Sequence, residues 1–284
     1  MSTAFKQGEW KMSQSDSGFL LDVAESAARE AGKRLGTLFH RRKLSIKRKY
    51  DYAGSIVTNA DLESERLILS RIRRSGVKST VVSEEAGRVQ FGSGDVTWAV
   101  DPLDGTLNFA KRIPHFAVSI GVRVGRMTVA GAIYDPILEE MFTARRGAGA
   151  FLNGKGVRVS SATALRNSAL IFEWWGPEPS IPDPLGLEKR LYKYTRSLRS
   201  PGSIALNLCS VASGRFDGMI TVFPKSPVYE TLAGSLIVEE AGGRITNSLG
   251  ESWESLSRSI IAGGPRLHRR LFAFLDYDTR GRSR

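Results

Sequence analysis

The sequence predicts an α+β protein, and three observations carry that prediction. Two stretches near the N-terminus repeat apolar residues at helical spacing. The middle of the chain is a succession of short β-type runs separated by turn signals, and beyond about residue 163 strand and helix patterns alternate. With 284 residues, 41% hydrophobic and 25% charged, the composition is that of an ordinary globular protein, long enough to bury a core without staples. The single cysteine, Cys209, excludes an intramolecular disulfide framework and reads as a buried thiol of an intracellular, cytoplasmic protein. No run of 18 apolar residues is present, which speaks against a membrane-spanning helix.

Taken in order, residues 1–17 are polar, lack the apolar core of a signal peptide, and are expected to form a disordered arm. The run Phe19, Leu20, Val23, Ala27, Ala31, Leu35, Phe39 predicts an amphipathic helix with Ser17 or Asp16 near its start. Thr58 to Ile72 predicts a second helix with Leu62, Leu67, Ile68 and Ile72 on one side and capping residues at Thr58–Asp61. Thr80–Ser83 and Val96–Val100 are β-type runs that both stop at acids. Phe116–Val124, Met127–Tyr134 and Glu140–Ala144 predict an antiparallel meander, followed by a hairpin marked by Gly147, Gly149, Asn153-Gly154 and Gly156. A boundary near 160–168 divides an N-terminal half (18–162) from a C-terminal half (163–275), with a basic tail over 276–284. In the second half, Ala169–Trp174 and Gly218–Val222 predict strands. Asp183–Arg196, Ser203–Ala212 and Thr231–Ala241 predict helices.

The formal charge of +12 favours anionic partners such as nucleic acid, membrane surfaces or phosphorylated small molecules. The excess gathers at Arg41–Lys43 with Lys47–Lys49, and again from Arg266 to Arg284. Both also read as solvated surface runs. No helix-turn-helix, zinc or aromatic RNA-binding signature accompanies them.

The chemically informative segment is Trp98-Ala99-Val100-Asp101-Pro102-Leu103-Asp104-Gly105-Thr106-Leu107-Asn108-Phe109. A hydrophobic strand runs into Asp101, Pro102 bends the chain, and Asp104 follows before Gly105-Thr106 opens a helix. Both carboxylates and the Leu103 carbonyl can then face one point, an all-oxygen set suited to Mg²⁺. The Gly105 and Thr106 amides suit an anion. Alone, D-x-x-D-G is also ordinary turn composition. Other acids lie at corresponding places: Glu84 at a strand end, Asp61 at a helix start, and Glu230 just before an expected helix. Each of these also has a plain reading as a capping or solvated residue.

In this order the pieces S-E-E-A, W-A-V-D-P-L-D-G-T-L-N-F and Y-E-T-L-A-G…E-E-A-G-G resemble the inositol monophosphatase family. That family belongs to the lithium-sensitive, fructose-bisphosphatase-like sugar phosphatases. The resemblance spans about residues 18–275 and includes Arg199–Asn207 and Ser213–Gly218. It implies a layered αβαβα sandwich and a Mg²⁺-dependent phosphomonoesterase that often dimerises. By the same resemblance, Glu84, Asp101 and the Leu103 carbonyl would hold a first Mg²⁺, and Asp101, Asp104 and Glu230 a second. A third ion would share Glu84. Asp61 and Thr106 would orient and deprotonate the attacking water, the Gly105 and Thr106 amides would hold phosphate, and Gly202, Ser203 and Ile204 would line the substrate. The three histidines, His40, His115 and His268, read as structural.

Three departures from the family pattern bear on specificity. Tyr229-Glu230 stands where the pattern has Trp-Asp, as it does in the fructose-1,6-bisphosphatase branch. Ile220–Val228 lacks the acid that inositol-specific members carry and is about two residues longer. It offers Lys225, readable either as a partner for a second anionic group or as a solvated loop lysine, and Phe223, which suits a ring. Ser83 replaces Gly before Glu84. The substrate class that the resemblance implies is a small polyol or sugar phosphate. Inositol monophosphate, fructose 1,6-bisphosphate, histidinol phosphate, 3′-phosphoadenosine 5′-phosphate and a cyclitol or aminosugar phosphate all remain open. The competing class is a regulatory protein of the same fold acting with RNA or the transcription apparatus.

Overall fold

The computed structural model describes residues 14–40, 44–48, 56–175, 181, 183–223, 228–253 and 259–281. Most of the expected N-terminal arm, Arg41–Lys43, Lys49 and Lys225 lie outside these residues. The chain opens with α1 (Gln14–Phe39), β1 (Ile46–Arg48), β2 (Ile56–Thr58) and α2 (Asn59–Arg74). Strands β3 (Ser79–Ser83), β4 (Gly87–Phe91) and β5 (Val96–Asp104) lead to α3 (Thr106–Lys111). The meander is β6 (Ala117–Val124), β7 (Met127–Asp135) and β8 (Glu140–Arg145), closed by the hairpin β9 (Gly149–Leu152) and β10 (Lys155–Gly156). The second half runs β11 (Ala169–Trp174), α4 (Pro184–Tyr194), β12 (Ser197–Arg199), α5 (Ile204–Ala212), β13 (Gly218–Val222), α6 (Val228–Glu240), β14 (Arg244–Thr246), β15 (Ser259–Gly263) and α7 (Pro265–Gly281).

Two main sheets organise these elements. One has the order β10-β9-β8-β7-β6-β5-β3-β4, the other β12-β11-β13-β15-β14. Strand alternation assigns the faces of the larger sheet. Trp98, Val100, Val118, Ile120, Ala130 and Ala132 join α1 and α2 residues such as Leu35, Ile68 and Ile72 in one core. Ala99, Ala117 and Ile133 point the other way and pack with Leu208, Leu232, Leu236 and Ile237 of α5 and α6, which Ile171 and Met219 of the smaller sheet cover from beyond. The outer face of that smaller sheet carries Leu170, Ile220 and Ile261 against Leu187 and Leu191 of α4 and Leu267 and Leu271 of α7. The layers are therefore helix, sheet, helix, sheet, helix, as the family resemblance implies. The lone thiol, Cys209, is buried in the middle layer.

Several sequence expectations change in detail. The first helix begins at Gln14, so residues 14–17 of the expected arm are helical, and α7 continues through Gly281, into the expected tail. Phe19 is 50% and Leu62 55% exposed. The inward face of α2 instead carries Ala60, Asp61, Ser64, Glu65, Ile68 and Ile72, because polar partners await it on the sheet edge. Helix α6 starts at Val228, which puts Glu230 inside the first turn. Pro102 does not end its strand: β5 continues to Asp104, and its register with β6 shifts between Asp101 and Asp104. A proline cannot donate to the ladder, and a bulge absorbs the gap.

Helix α6 lies unusually close to the sheet. A Cβ on Gly121 would fall 2.8 Å from Leu232 Cδ2, and one on Gly131 would fall 2.9 Å from Ala233 Cα. These contacts set how near Glu230 comes to the strand ends. Gly131→Val is expected to cost about 3 kcal/mol by overpacking and to weaken divalent-metal binding with it; denaturant melts with and without Mg²⁺ check both. An unchanged midpoint would show that α6 can back away freely.

Candidate active site

The first part of the site is set by two parallel strands. β3 and β5 pair with Ser83 opposite Val100, and the Glu84 N–H donates to the Val100 carbonyl at 3.2 Å. Glu84 and Asp101 therefore leave neighbouring strands side by side. Strand alternation turns Asp101, like Ala99, away from the α1/α2 core and toward α6. On the α6 side, the Ser119 hydroxyl donates to the Tyr229 carbonyl at 3.4 Å, tethering the turn that carries Glu230. One carboxylate oxygen from each of Glu84, Asp101 and Glu230 lies within 4.8 Å of the others, with Asp101 buried and its two partners half-buried.

This convergence is costly for bare carboxylates. Burial first, then the charges of Glu84, Asp104 and Glu230, push the Asp101 carboxyl well above its ordinary range. A hard divalent cation reverses that penalty, and an all-oxygen donor set suits Mg²⁺ or Ca²⁺ far better than a soft metal. The residues present thus fit the ion that the family resemblance implies. The loop after Asp101 is internally braced. The Leu103 N–H donates to Asp101 Oδ1 at 2.9 Å, while the Leu103 carbonyl accepts from Thr106 Oγ1 at 3.0 Å.

Asp61 and Thr106 also meet. Thr106 Oγ1 is 3.1 Å from Asp61 Oδ1, although the two residues are 45 positions apart in the chain. Asp61 closes a capping box from helix position N3: it accepts from the Thr58 N–H at 2.8 Å and the Thr58 hydroxyl at 2.6 Å. Burial lifts its pKa to about 7 against those hydrogen bonds, and the charge of Glu85 adds to the rise. Gly105, at the start of α3, has φ of +91°. A Cβ there would sit 3.0 Å from the His115 carbonyl, so both conformation and space call for glycine.

Asp104 lies outside the trio of converging oxygens. Its carboxylate accepts from the Ser203 hydroxyl, from the Ala205 N–H at 2.8 Å and from the Ile204 N–H at 3.3 Å, which adds a tertiary cap to α5 beside its own N-cap residue, Ser203. Burial raises its pKa to about 7, these bonds oppose the rise, and Glu173 adds to it. Asp104 therefore ties the strand-end loop to Ser203, Ile204 and Ala205. Lys225 lies outside the described residues. Phe223 is buried at 3% exposure, which leaves it little face for stacking. His268 is buried and bonded to Thr246 Oγ1 at 2.9 Å, in keeping with a structural role.

Two buried acids that brace the loops of the site, Glu173 and Glu65, escaped the sequence reading. Glu173, near the end of β11, accepts from the Gly202 N–H at 2.6 Å and from Asn207 Nδ2 at 2.8 Å, and so braces the loop before α5. Glu65 of α2 accepts from the Ala86 N–H at 2.8 Å and from the Ser83 hydroxyl. A signal for Glu65 existed: it shares a helical face with Asp61, Ile68 and Ile72. Glu173 stands in an apolar strand run with nothing local to mark it.

The inositol monophosphatase family model matches residues 17–276. Nus factor SuhB of Escherichia coli is 36% identical over 255 residues, covering 89% of this chain and 94% of that protein. Among solved structures, the extragenic suppressor protein suhB of Bartonella henselae matches with a TM-score of 0.83 and 32% identity, over 90% of this chain and 98% of that one. The inositol monophosphatase of Anabaena (Nostoc) matches with a TM-score of 0.79 and 33% identity, over 91% and 96%.

Proposed function

The chain belongs to the inositol monophosphatase family, and from that premise we propose that it is a Mg²⁺-dependent phosphomonoesterase acting on a small polyol or sugar phosphate. The observation that carries the proposal is the meeting of the Glu84, Asp101 and Glu230 oxygens near a second pair, Asp61 and Thr106. Bound Mg²⁺ would supply charge neutralisation and a more acidic water. Glu84, Asp101 and the Leu103 carbonyl are the proposed holders of one ion. Asp101, Glu230 and Asp104 are those of a second, with Glu84 shared by a third. Asp104 Oδ2 already accepts from both Ser203 and Ala205, whereas Oδ1 accepts only from Ile204 and keeps a lone pair for that purpose.

The chain's own part is positioning and proton handling. Thr106 Oγ1, fixed between Asp61 and the Leu103 carbonyl, orients a water. Asp61, with its pKa near neutrality, accepts the proton as the water oxygen attacks phosphorus, while the P–O bond to the alcohol breaks and the departing oxygen takes a proton from solvent water. The Gly105 and Thr106 amides hold the phosphate. Gly202, Ser203 and Ile204 line the alcohol side, and Lys225 is the proposed partner of a second anionic group. As part of the same proposal, the protein acts in the cytoplasm as a homodimer. Among the described residues no helix is long and apolar enough to cross a membrane.

A phosphate-release screen over about fifty phosphorylated metabolites, with Mg²⁺ and with EDTA, tests the reading. Mg²⁺-dependent release from at least one polyol or sugar phosphate is expected; no release from any overturns it. A second reading is favoured by the similarity to Nus factor SuhB and by the charge of +12: a transcription-associated protein that binds RNA. Binding of that kind would fall steeply with salt and would survive Asp101→Asn. The two roles are compatible, since the metal-site acids and the basic runs are separate residues.

A further inference from the structure

We propose that Ser64 and Glu65 of α2, with Ser83, are positioning residues that hold the metal-binding loops in shape before an ion arrives. The inference rests on the divalent-metal reading above. Asp61, Ser64 and Glu65 stand at i, i+3 and i+4, so they share one face of α2. All three are buried, at 0%, 0% and 6% exposure. Each reaches a different segment of the site. Asp61 meets Thr106. The Ser64 hydroxyl donates to the Pro102 carbonyl at 2.6 Å, gripping the peptide unit between Asp101 and Leu103. Glu65 accepts from the Ser83 hydroxyl and the Ala86 N–H, gripping the chain on both sides of Glu84.

Polar groups on an inward helical face are expensive unless fully bonded. Ile68 and Ile72 continue the same face as ordinary core, so apolar residues suit this helix where no loop must be held. The need for a grip follows from electrostatics. Glu84, Asp101 and Glu230 repel one another, and without a cation their loops would relax apart. Hydrogen bonds that fix the backbone on either side of Glu84 resist that relaxation and keep the oxygens near their binding geometry. Ser83 takes part through its side chain. Its hydroxyl supplies one of the two bonds to Glu65, and a glycine could not supply it. Both bonds end on the same oxygen, Oε1, so the grip needs an acceptor and not a charge.

Isothermal titration of the full-length protein with Mg²⁺, alongside thermal melts in EDTA, separates the possibilities. Glu65→Ala is expected to weaken Mg²⁺ binding by about 10- to 100-fold. Glu65→Gln, which keeps the acceptor, is expected to stay within about threefold of wild type. Ser83→Gly is expected to lose about fivefold, the worth of one net hydrogen bond, and carries the test if Glu65→Ala does not fold. Unchanged Mg²⁺ affinity in Ser83→Gly and Glu65→Ala, even with lowered melting temperatures, overturns the inference and leaves these residues as plain fold contacts. A fall in Glu65→Gln as deep as in Glu65→Ala also overturns it, because charge would then be the operative property. Failure of the wild-type protein to bind Mg²⁺ overturns the phosphatase reading itself, and this inference with it.

Discussion

Asp101→Asn is expected to lower Mg²⁺-dependent phosphate release by about a thousandfold, a barrier increase of about 4 kcal/mol, while leaving the metal-free protein at least as stable as wild type. The two halves of this expectation share one cause. Asp101 is buried among Glu84, Asp104 and Glu230, whose charges oppose its ionisation. Removing its charge relieves repulsion in the absence of metal and removes a shared ligand in its presence. The amide still fills the same space and can still accept from the Leu103 N–H. Phosphate-release kinetics and melts in EDTA and in Mg²⁺ check it. Wild type should gain melting temperature on adding Mg²⁺ by mass action, and the variant should gain little. Near wild-type turnover in the variant would remove Asp101 from the chemistry.

Asp104→Asn should act in the opposite sense on the metal-free protein. It is expected to cost about 2 kcal/mol, a fall in Tm of about 5 °C for a chain of this size, in addition to reducing turnover. Its carboxylate faces three donors: the Ser203 hydroxyl and the N–H groups of Ala205 and Ile204. An amide has one oxygen to offer. Kept toward Ser203 and Ala205, it turns its NH₂ against the Ile204 N–H, leaving donor facing donor at the start of a helix. Two aspartates three residues apart therefore differ by the sign of their effect on apo stability. Equal melting temperatures for Asp104→Asn and wild type in EDTA would show that the α5 cap contributes nothing.

The strand-end acids were readable because the local pattern carries them. One apolar run stops at Glu84, where β3 has just ended, and another stops at Asp101, where β5 shifts register with β6 before running on to Asp104. Thr58–Asp61 announces a capped helix by composition alone. The meander of β6 to β8 and the hairpin beyond it were likewise visible from alternation and glycine turns. Exposure was harder to read. Leu62 and Phe19 look inward by spacing, yet α2 turns a partly polar face to the sheet edge and leaves Leu62 in solvent.

By itself, then, the sequence determined the type and order of most elements, the identity of the converging acids and the family to which they point. These follow from short-range periodicity, capping and turn chemistry, which act over a few residues. Only the tertiary structure decided that β3 and β5 lie side by side, that the glycine contacts at positions 121 and 131 let α6 bring Glu230 to them, that Asp104 turns to α5, and that Glu65 grips both flanks of Glu84. Each of these depends on which distant segments become neighbours. That choice is made by burying whole faces of sheets and helices together, and no local window of residues contains it.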